Sequence, residues 1–274
     1  MKRINRLFSD KPLLSRLGLA LFGCLVIAFC ASSSGCKDKK STQTTVENVA
    51  NVETAPPPPP PPAALMPPVP SPEPKNALVK ITTRFGDMTV KLYDETPGHR
   101  DNFLMLIEKG FYNGLLFHRC IPGFMAQGGD PNSKGAAPGL NLGMGGPGYT
   151  IPAEFNPKLF HKKGALSAAR LGDQANPTRA SSGSQFYIVQ GQKLNDMQLS
   201  QYQSYIGQKM PGFVFSDEQK NTYKTIGGAP SLDMDYTVFG EVIEGLNIVD
   251  SINAQPTVRD RPIKDVIMNM QRIK

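Results

Sequence analysis

Residues 117–130 read FHRCIPGFMAQGGD, and this stretch holds two short apolar runs separated by a proline and a glycine. It predicts a strand, a turn and a second strand. Arg119 lies inside the first run, where a charged side chain is costly to bury unless something requires it. In the second run Met125 and Gln127 are two residues apart, so they share one face of a strand.

A second pair with the same character lies further along the chain. Gln185 and Tyr187 share a strand face in the run SQFYI. Each pair joins a bulky apolar or aromatic group to an amide that both donates and accepts hydrogen bonds. The alternative is that both pairs are ordinary core and rim positions, and the pairs alone favour this simpler interpretation.

The surrounding sequence predicts a barrel. LVKIT and MTVKL, separated by RFGD, predict a hairpin. Further strands are predicted over residues 115–118, 121–127, 165–169, 185–189, 236–242 and 265–273. One helix is predicted to begin at Pro97 and end at Gly110, and a short one lies near residues 246–252. Eight short strands with two helices predict a mainly β fold, a closed eight-stranded antiparallel barrel capped by two helices.

The first 35 residues have the layout of a secretory signal, with a basic start, an apolar run over residues 17–31 and small residues after it. The apolar run is shorter than the roughly 18 residues that cross a bilayer, so cleavage is favoured. SSSGC resembles a bacterial lipoprotein signal and predicts a lipid anchor on Cys36. The alternative is a plain signal peptide or an uncleaved anchor. Either way, we expect the rest of the chain in the bacterial cell envelope, on the periplasmic or surface side.

Two segments precede the predicted domain. Residues 36–55 are polar and predict a tether that does not fold alone. Residues 56–76 predict a proline-rich stalk, in which polyproline II at about 3.1 Å per residue gives a length on the order of 60 Å. A ligand for an aromatic groove of a partner is the alternative role of the stalk. The domain itself is predicted over residues 77–274, with an insert at residues 192–226.

Charge and composition disfavour several classes of function. The formal net charge is +7, but the signal segment holds five basic residues and one acid, so the remainder carries only about +3, which does not favour nucleic-acid binding. His99, His118 and His161 are far apart and lack neighbouring ligands, so no metal site is predicted. GMGGPG at residues 143–148 fits a dinucleotide pattern, yet no predicted helix follows it. Cys120 is interpreted as a small buried hydrophobe.

Four ordered motifs, FHRCIPGFMAQGGD, GALSAAR, GSQFYI and YTVFGEV, together resemble the cyclophilin peptidyl-prolyl cis/trans isomerases over residues 78–274. The family fold is an eight-stranded antiparallel barrel closed by two helices, in agreement with the pattern above. The resemblance implies an enzyme that isomerises Xaa-Pro bonds in proline-containing polypeptides and needs no cofactor. Combined with the signal, it predicts exported proteins as substrates. A non-catalytic peptide-binding or chaperone module on the same barrel is the alternative function.

The resemblance also implies a site, carried over motif by motif. Arg119 is the implied catalytic residue. The implied substrate-binding residues are Phe124, Met125, Gln127, Gly143, Ala169, Arg170, Gln185, Tyr187, Leu232 and Tyr236. An arginine suits this chemistry because a rigid donor binds the pyramidal nitrogen of a twisted prolyl amide better than the planar ground state. The alternative for Arg119 is a structural arginine paired with an acid of the barrel.

This chain departs from the family pattern around the predicted proline pocket. Ser231 stands where the family often has an aromatic residue, and Tyr236 stands where many members have histidine. Within the insert, Ser216 and Gln219 fit a capping box that begins a helix. The insert either shapes substrate choice or is a solvated decoration, and the sequence leaves both open.

Overall fold

The computed structural model describes residues 66–71 and 76–274. The predicted signal, the lipidation site Cys36, the tether and most of the proline-rich stalk lie outside the described residues. Within the described ranges, none of the helices combines the length and the apolar composition that crossing a bilayer requires.

The described residues form twelve strands and four helices. Strands β1 to β12 span Leu78–Thr83, Gly86–Leu92, Leu115–Ile121, Met125–Gly128, Thr150–Ile151, Ala165–Ala168, Ser181–Ser182, Phe186–Val189, Val238–Glu244, Thr257–Val258, Arg261–Pro262 and Ile267–Arg272. Helices α1 to α4 span Pro97–Glu108, Asp196–Lys209, Asp217–Thr225 and Leu246–Asn253.

Eight of these strands close into a barrel in the order β1-β12-β3-β4-β8-β6-β9-β2, and every neighbouring pair is antiparallel. The predicted fold is therefore confirmed, and the eight predicted strands are the eight barrel strands. The predicted boundary between the third and fourth strands was wrong, because β3 continues to Ile121 and β4 begins only at Met125. Pro122 has no N–H to donate, so the chain turns there.

The barrel interior and the two capping helices share one apolar core. Alternate residues of β1 and β2 point inward, and Val79, Ile81 and Val90 are fully buried. Phe103 on α1 packs edge-on against Phe186 and Phe239, with ring centroids 5.6 and 5.3 Å away. Each such side chain contributes roughly 1.5–3 kcal/mol by leaving water. The core gives the barrel surface a rigid support for a binding site.

Cys120 on β3 belongs to this core, as the sequence predicted. It is fully buried, and burial raises the pKa of its thiol to about 12. The thiolate that a nucleophile requires is therefore absent at neutral pH.

The insert folds as the helix pair α2 and α3, which pack around a small apolar cluster that also includes Phe160 from outside the insert. The predicted capping box begins α3, with Ser216 Oγ accepting from the N–H of Gln219 and the Gln219 amide accepting from Ser216. Helix α2 was not predicted, although Asn195 and Gln198 form the same kind of box at its start. The cluster residues are Phe160, Leu199, Ile206, Phe215 and Tyr223.

Candidate active site

A groove of about 280 Å³ lies on the outside of the barrel. It is lined by Arg119, Phe124, Met125, Gln127, Ala169, Arg170, Tyr187, Leu232 and Tyr236. All nine were implied by the family resemblance of the sequence. The remaining two, Gly143 and Gln185, line an adjoining cleft of about 490 Å³ that shares Gln127, Ala169 and Arg170 with the groove.

The strand register explains why these side chains meet. Arg119 on β3 lies directly opposite Gln127 on β4, and Gln127 in turn lies opposite Tyr187 on β8. Directly opposed residues point to the same face of a sheet with their Cβ atoms about 5 Å apart. The register therefore places an arginine, an amide and an aromatic ring side by side across three strands.

The guanidinium of Arg119 is held on two sides while its side chain stays 44% exposed. Its Nε donates to Asp260 Oδ2 at 3.3 Å, and its Nη1 lies 3.5 Å from Gln127 Oε1. An exposed ion pair of this kind is weak. The alternative interpretation of Arg119 was a structural arginine paired with an acidic residue. Asp260 is such a partner, but Arg119 also lines the groove.

Asp260 was missed by the sequence analysis. It follows Arg259 in the two-residue turn between β10 and β11, and both residues have positive φ, at +65° and +50°. Two-residue hairpins that need positive φ at both positions prefer sequences such as Asn-Gly. Because Arg-Asp does not resemble that signal, the hairpin was not predicted and Asp260 was not placed near Arg119.

A chain of amide hydrogen bonds fixes the inner side of the site. Gln127 Nε2 donates to Gln185 Oε1 at 2.9 Å. Gln185 Nε2 donates to the carbonyl oxygens of Gly143 and Gly145, at 2.9 and 2.7 Å. The buried carboxylate of Asp130 accepts the N–H groups of the same two glycines. The loop that carries Gly143 is thus bound to the site from both sides.

The apolar end of the groove is formed by Met125 and Tyr187, which are 2% and 4% exposed. The ring of Tyr236 meets that of Tyr187 edge-on, with centroids 6.0 Å apart. Arg170 stacks over Tyr236 at 4.5 Å, and its Nε donates to the Asp235 carbonyl at 2.7 Å. This end is a compact apolar seat with one rim covered by an arginine.

His118 is buried directly beside Arg119, and burial lowers the pKa of its imidazole to about 4. The ring is therefore neutral at pH 7. Of this adjacent pair, Arg119 alone is charged.

We expect His118 to make stability depend on pH. In the unfolded chain His118 takes up a proton near pH 6.5, whereas in the folded protein it does so only near pH 4. The unfolded state binds more protons between these values, so stability falls as the pH is lowered from 6.5 to 4, by up to roughly 3 kcal/mol. Urea unfolding across this range should show a shallower loss in His118→Gln than in the wild type. Parallel curves for the two proteins would contradict the prediction.

Other chemistry considered from the sequence finds little support in the geometry. Among the described residues no group of three or more His, Cys, Asp or Glu side chains is arranged to hold a metal ion. Residues 143–148 form a loop leading into β5, without a following helix. His99 lies 2.6 Å from Glu154 and 2.9 Å from the Oγ of Ser181. This resembles a serine triad, but Ser181 is 1% exposed and offers a substrate no access.

Comparisons with known proteins agree with the fold. The family described as cyclophilin type peptidyl-prolyl cis-trans isomerase/CLD matches residues 78–272. A Staphylococcus saprophyticus protein named as a peptidyl-prolyl cis-trans isomerase is 36% identical over 192 residues, covering 68% of this chain and 86% of that protein. A Staphylococcus epidermidis protein with the same name is 37% identical over 195 residues, covering 69% and 88%.

Two further matches are more limited. A Streptococcus pyogenes protein named as a bifunctional phosphatase/peptidyl-prolyl cis-trans isomerase is 36% identical over 197 residues, but this chain spans only 37% of its length. The crystal structure of a Cryptosporidium parvum cyclophilin type peptidyl-prolyl cis-trans isomerase aligns with a TM-score of 0.50 and 24% identity, covering 72% of this chain and 98% of that one. That likeness is one of fold. By its family match and its relatives, the chain belongs to the cyclophilin-type peptidyl-prolyl cis-trans isomerases and is an enzyme of that class, also called a rotamase.

Proposed function

We propose that the groove around Arg119 is the catalytic site of this isomerase and that Arg119 is its catalytic residue. Rotation about a peptide bond is opposed by a barrier of about 18–20 kcal/mol, which arises from resonance between nitrogen and carbonyl. In the twisted amide the prolyl nitrogen becomes pyramidal and its lone pair accepts a hydrogen bond. A donor fixed toward that nitrogen stabilises the transition state more than the ground state, so it raises the rate.

The observation that carries this proposal is the two-sided hold on the guanidinium. Asp260 takes the Nε hydrogen and Gln127 lies against Nη1, so the remaining N–H groups stay available at the edge of the groove. A donor that is already oriented needs no reorganisation when the amide twists. Arginine provides several donors in one plane and stays charged at every physiological pH.

The other groove residues are proposed to seat the substrate. Phe124, Met125, Tyr187 and Leu232 surround the prolyl ring and exclude water. Gln127 has a second amide hydrogen beyond the one given to Gln185, and this hydrogen holds the carbonyl that precedes the proline. The backbone at residues 169–170 pairs with the substrate chain, and Gly143 and Gln185 border the residues beyond the proline.

NMR exchange spectroscopy on a short Ala-Pro peptide tests the function directly. Uncatalysed exchange takes tens to hundreds of seconds, so catalysis by a substoichiometric amount of protein is easily seen. We expect the wild-type domain to accelerate exchange. Binding without acceleration would identify the alternative, a peptide-binding or chaperone module, and would contradict the proposal.

We further propose that the enzyme acts on exported proteins in the bacterial cell envelope. The support is the basic, apolar and small-residue layout of residues 1–35 and the SSSGC sequence, which together favour cleavage before Cys36 and a lipid anchor there. The polar and proline-rich residues 36–76 then separate the isomerase domain from the membrane. Mass spectrometry of the mature protein should show an acylated Cys36 terminus, and an unlipidated terminus would remove the anchor.

A further inference from the structure

The wall of the groove at residues 232–236 is the point where the insert meets the site. Leu232 and Tyr236 of this segment line the groove. The two acidic residues between them, Asp233 and Asp235, are buried at 4% and 7% exposure. Buried carboxylates require partners, and for both of them a partner comes from the insert, residues 192–226.

Asp233 is held by a hydrogen-bond chain that begins in α3. The Tyr223 hydroxyl, which is fully buried, donates to Asp233 Oδ2. Asp233 Oδ1 lies 2.7 Å from His161 Nδ1 and also accepts the His161 N–H at 2.8 Å. His161 Nε2 lies 3.0 Å from the hydroxyl of Tyr187, which belongs to the apolar seat of the groove.

Each hydrogen bond in this series joins a donor to an acceptor. Nδ1 of His161 donates to the carboxylate, which only accepts, and Nε2 shares a hydrogen bond with the Tyr187 hydroxyl. Burial raises the pKa of both Tyr187 and Tyr223 well above the usual value, so both hydroxyls remain donors. A buried network in which every member is satisfied rigidifies the groups that it joins.

Asp235 is held from the other helix of the insert. Lys209, the last residue of α2, forms an ion pair with Asp235 Oδ2, and Arg179 donates to Oδ1 at 2.9 Å. The backbone carbonyl of Asp235 accepts from Arg170, whose guanidinium covers Tyr236. Both helices of the insert thus bind the wall, one at each acidic residue.

We propose that the insert clamps the groove wall, with Tyr223 and Lys209 as positioning residues that hold Leu232, Tyr187 and Tyr236 around the prolyl ring. The proposal rests on the function proposed for the groove. The sequence left two roles open for the insert, the shaping of substrate choice and a solvated decoration. The proposal assigns the first. The clamp acts on the seat of the proline and leaves Arg119 untouched, so its loss weakens substrate binding more than it slows turnover.

Tyr223→Phe in the full-length protein tests the clamp, because it removes one hydroxyl and keeps the buried ring. We expect KM for a proline peptide to rise three- to tenfold, with kcat within twofold of wild type. Tyr202→Phe is the matched control, since Tyr202 lies on α2 and its hydroxyl has no described hydrogen-bond partner. Lys209→Met should likewise raise KM, whereas Lys224→Met, which breaks an exposed pair with Asp196 inside the insert, should not.

NMR gives a readout that does not depend on activity. In Tyr223→Phe the methyl resonances of Leu232 and the ring resonances of Tyr187 should shift, whereas in Tyr202→Phe they should remain in place. If Tyr223→Phe and Lys209→Met both leave KM and these resonances unchanged, the insert is a solvated decoration and the inference is wrong. Shifted resonances in a protein that does not accelerate exchange would support the clamp and contradict only the proposed function.

Discussion

Arg119→Ala is expected to lower kcat/KM for Xaa-Pro isomerisation by about two to three orders of magnitude, the usual cost of removing one oriented donor from a transition state. The loss should fall mainly on kcat, because the apolar seat of Met125, Tyr187 and Leu232 stays intact and still binds the peptide. The fold should be unaffected, since the side chain is 44% exposed and its ion pair with Asp260 is weak. NMR exchange and peptide titration of the same samples measure both quantities.

Two variants sharpen this experiment. Arg119→Lys keeps the charge but loses the planar set of donors, so we expect a loss of about tenfold or more, between wild type and Arg119→Ala. Arg84→Ala, in the turn between β1 and β2, removes another arginine from the same barrel and should leave the rate unchanged. Equal rates for Arg119→Ala and wild type would remove this residue from the mechanism.

Gly129→Ala is expected to destabilise the protein by about 2–5 kcal/mol, combining a disfavoured backbone conformation with overpacking. Gly129 follows β4 at φ +90°, and a Cβ placed there would overlap the carbonyl oxygen of Ser184. That oxygen is backbone, so it cannot move aside as the end of a flexible side chain would. Equilibrium urea unfolding measures the change.

Gly139→Ala is the matched control for this prediction. Gly139 has a similar φ of +80°, but nothing lies within 4 Å of the added Cβ. It should therefore cost only the conformational part, about 1–2 kcal/mol. A loss in Gly129→Ala no larger than in Gly139→Ala would show that the contact with Ser184 relaxes freely.

The barrel was predictable because its signals are local. Alternation in β1 and β2 and the Pro97 and Gly110 signals around α1 each lie within a few residues of one another. The strand-turn-strand pattern of residues 117–130 was equally clear, and the register it produces brings Arg119 beside Gln127. Within this stretch only the position of the turn was wrong. Pro122 shows that a turn is near, but it does not show whether Ile121 ends the first strand or begins the second.

The missing parts depend on contacts that are distant in sequence. Tyr223 and His161 are 62 positions apart, and no pattern relates either of them to Asp233 before the fold is known. Asp260 is 141 positions from Arg119 and is brought to it by a hairpin with an unusual turn. Helix α2 is a different case, because its capping box is formed by Asn195 and Gln198, which are only three residues apart in the sequence.

At the turn formed by Arg259 and Asp260, the residues that best suit the backbone differ from the residue that pairs with Arg119. A pair such as Asn-Gly would adopt the same backbone at lower conformational cost. It would also remove the counter-charge of Arg119 and leave Gln127 as its one side-chain hydrogen-bond partner among the described residues. Selection for heat resistance alone would therefore erode activity at this hairpin, which makes it a place where a more durable enzyme is expected to be a slower one.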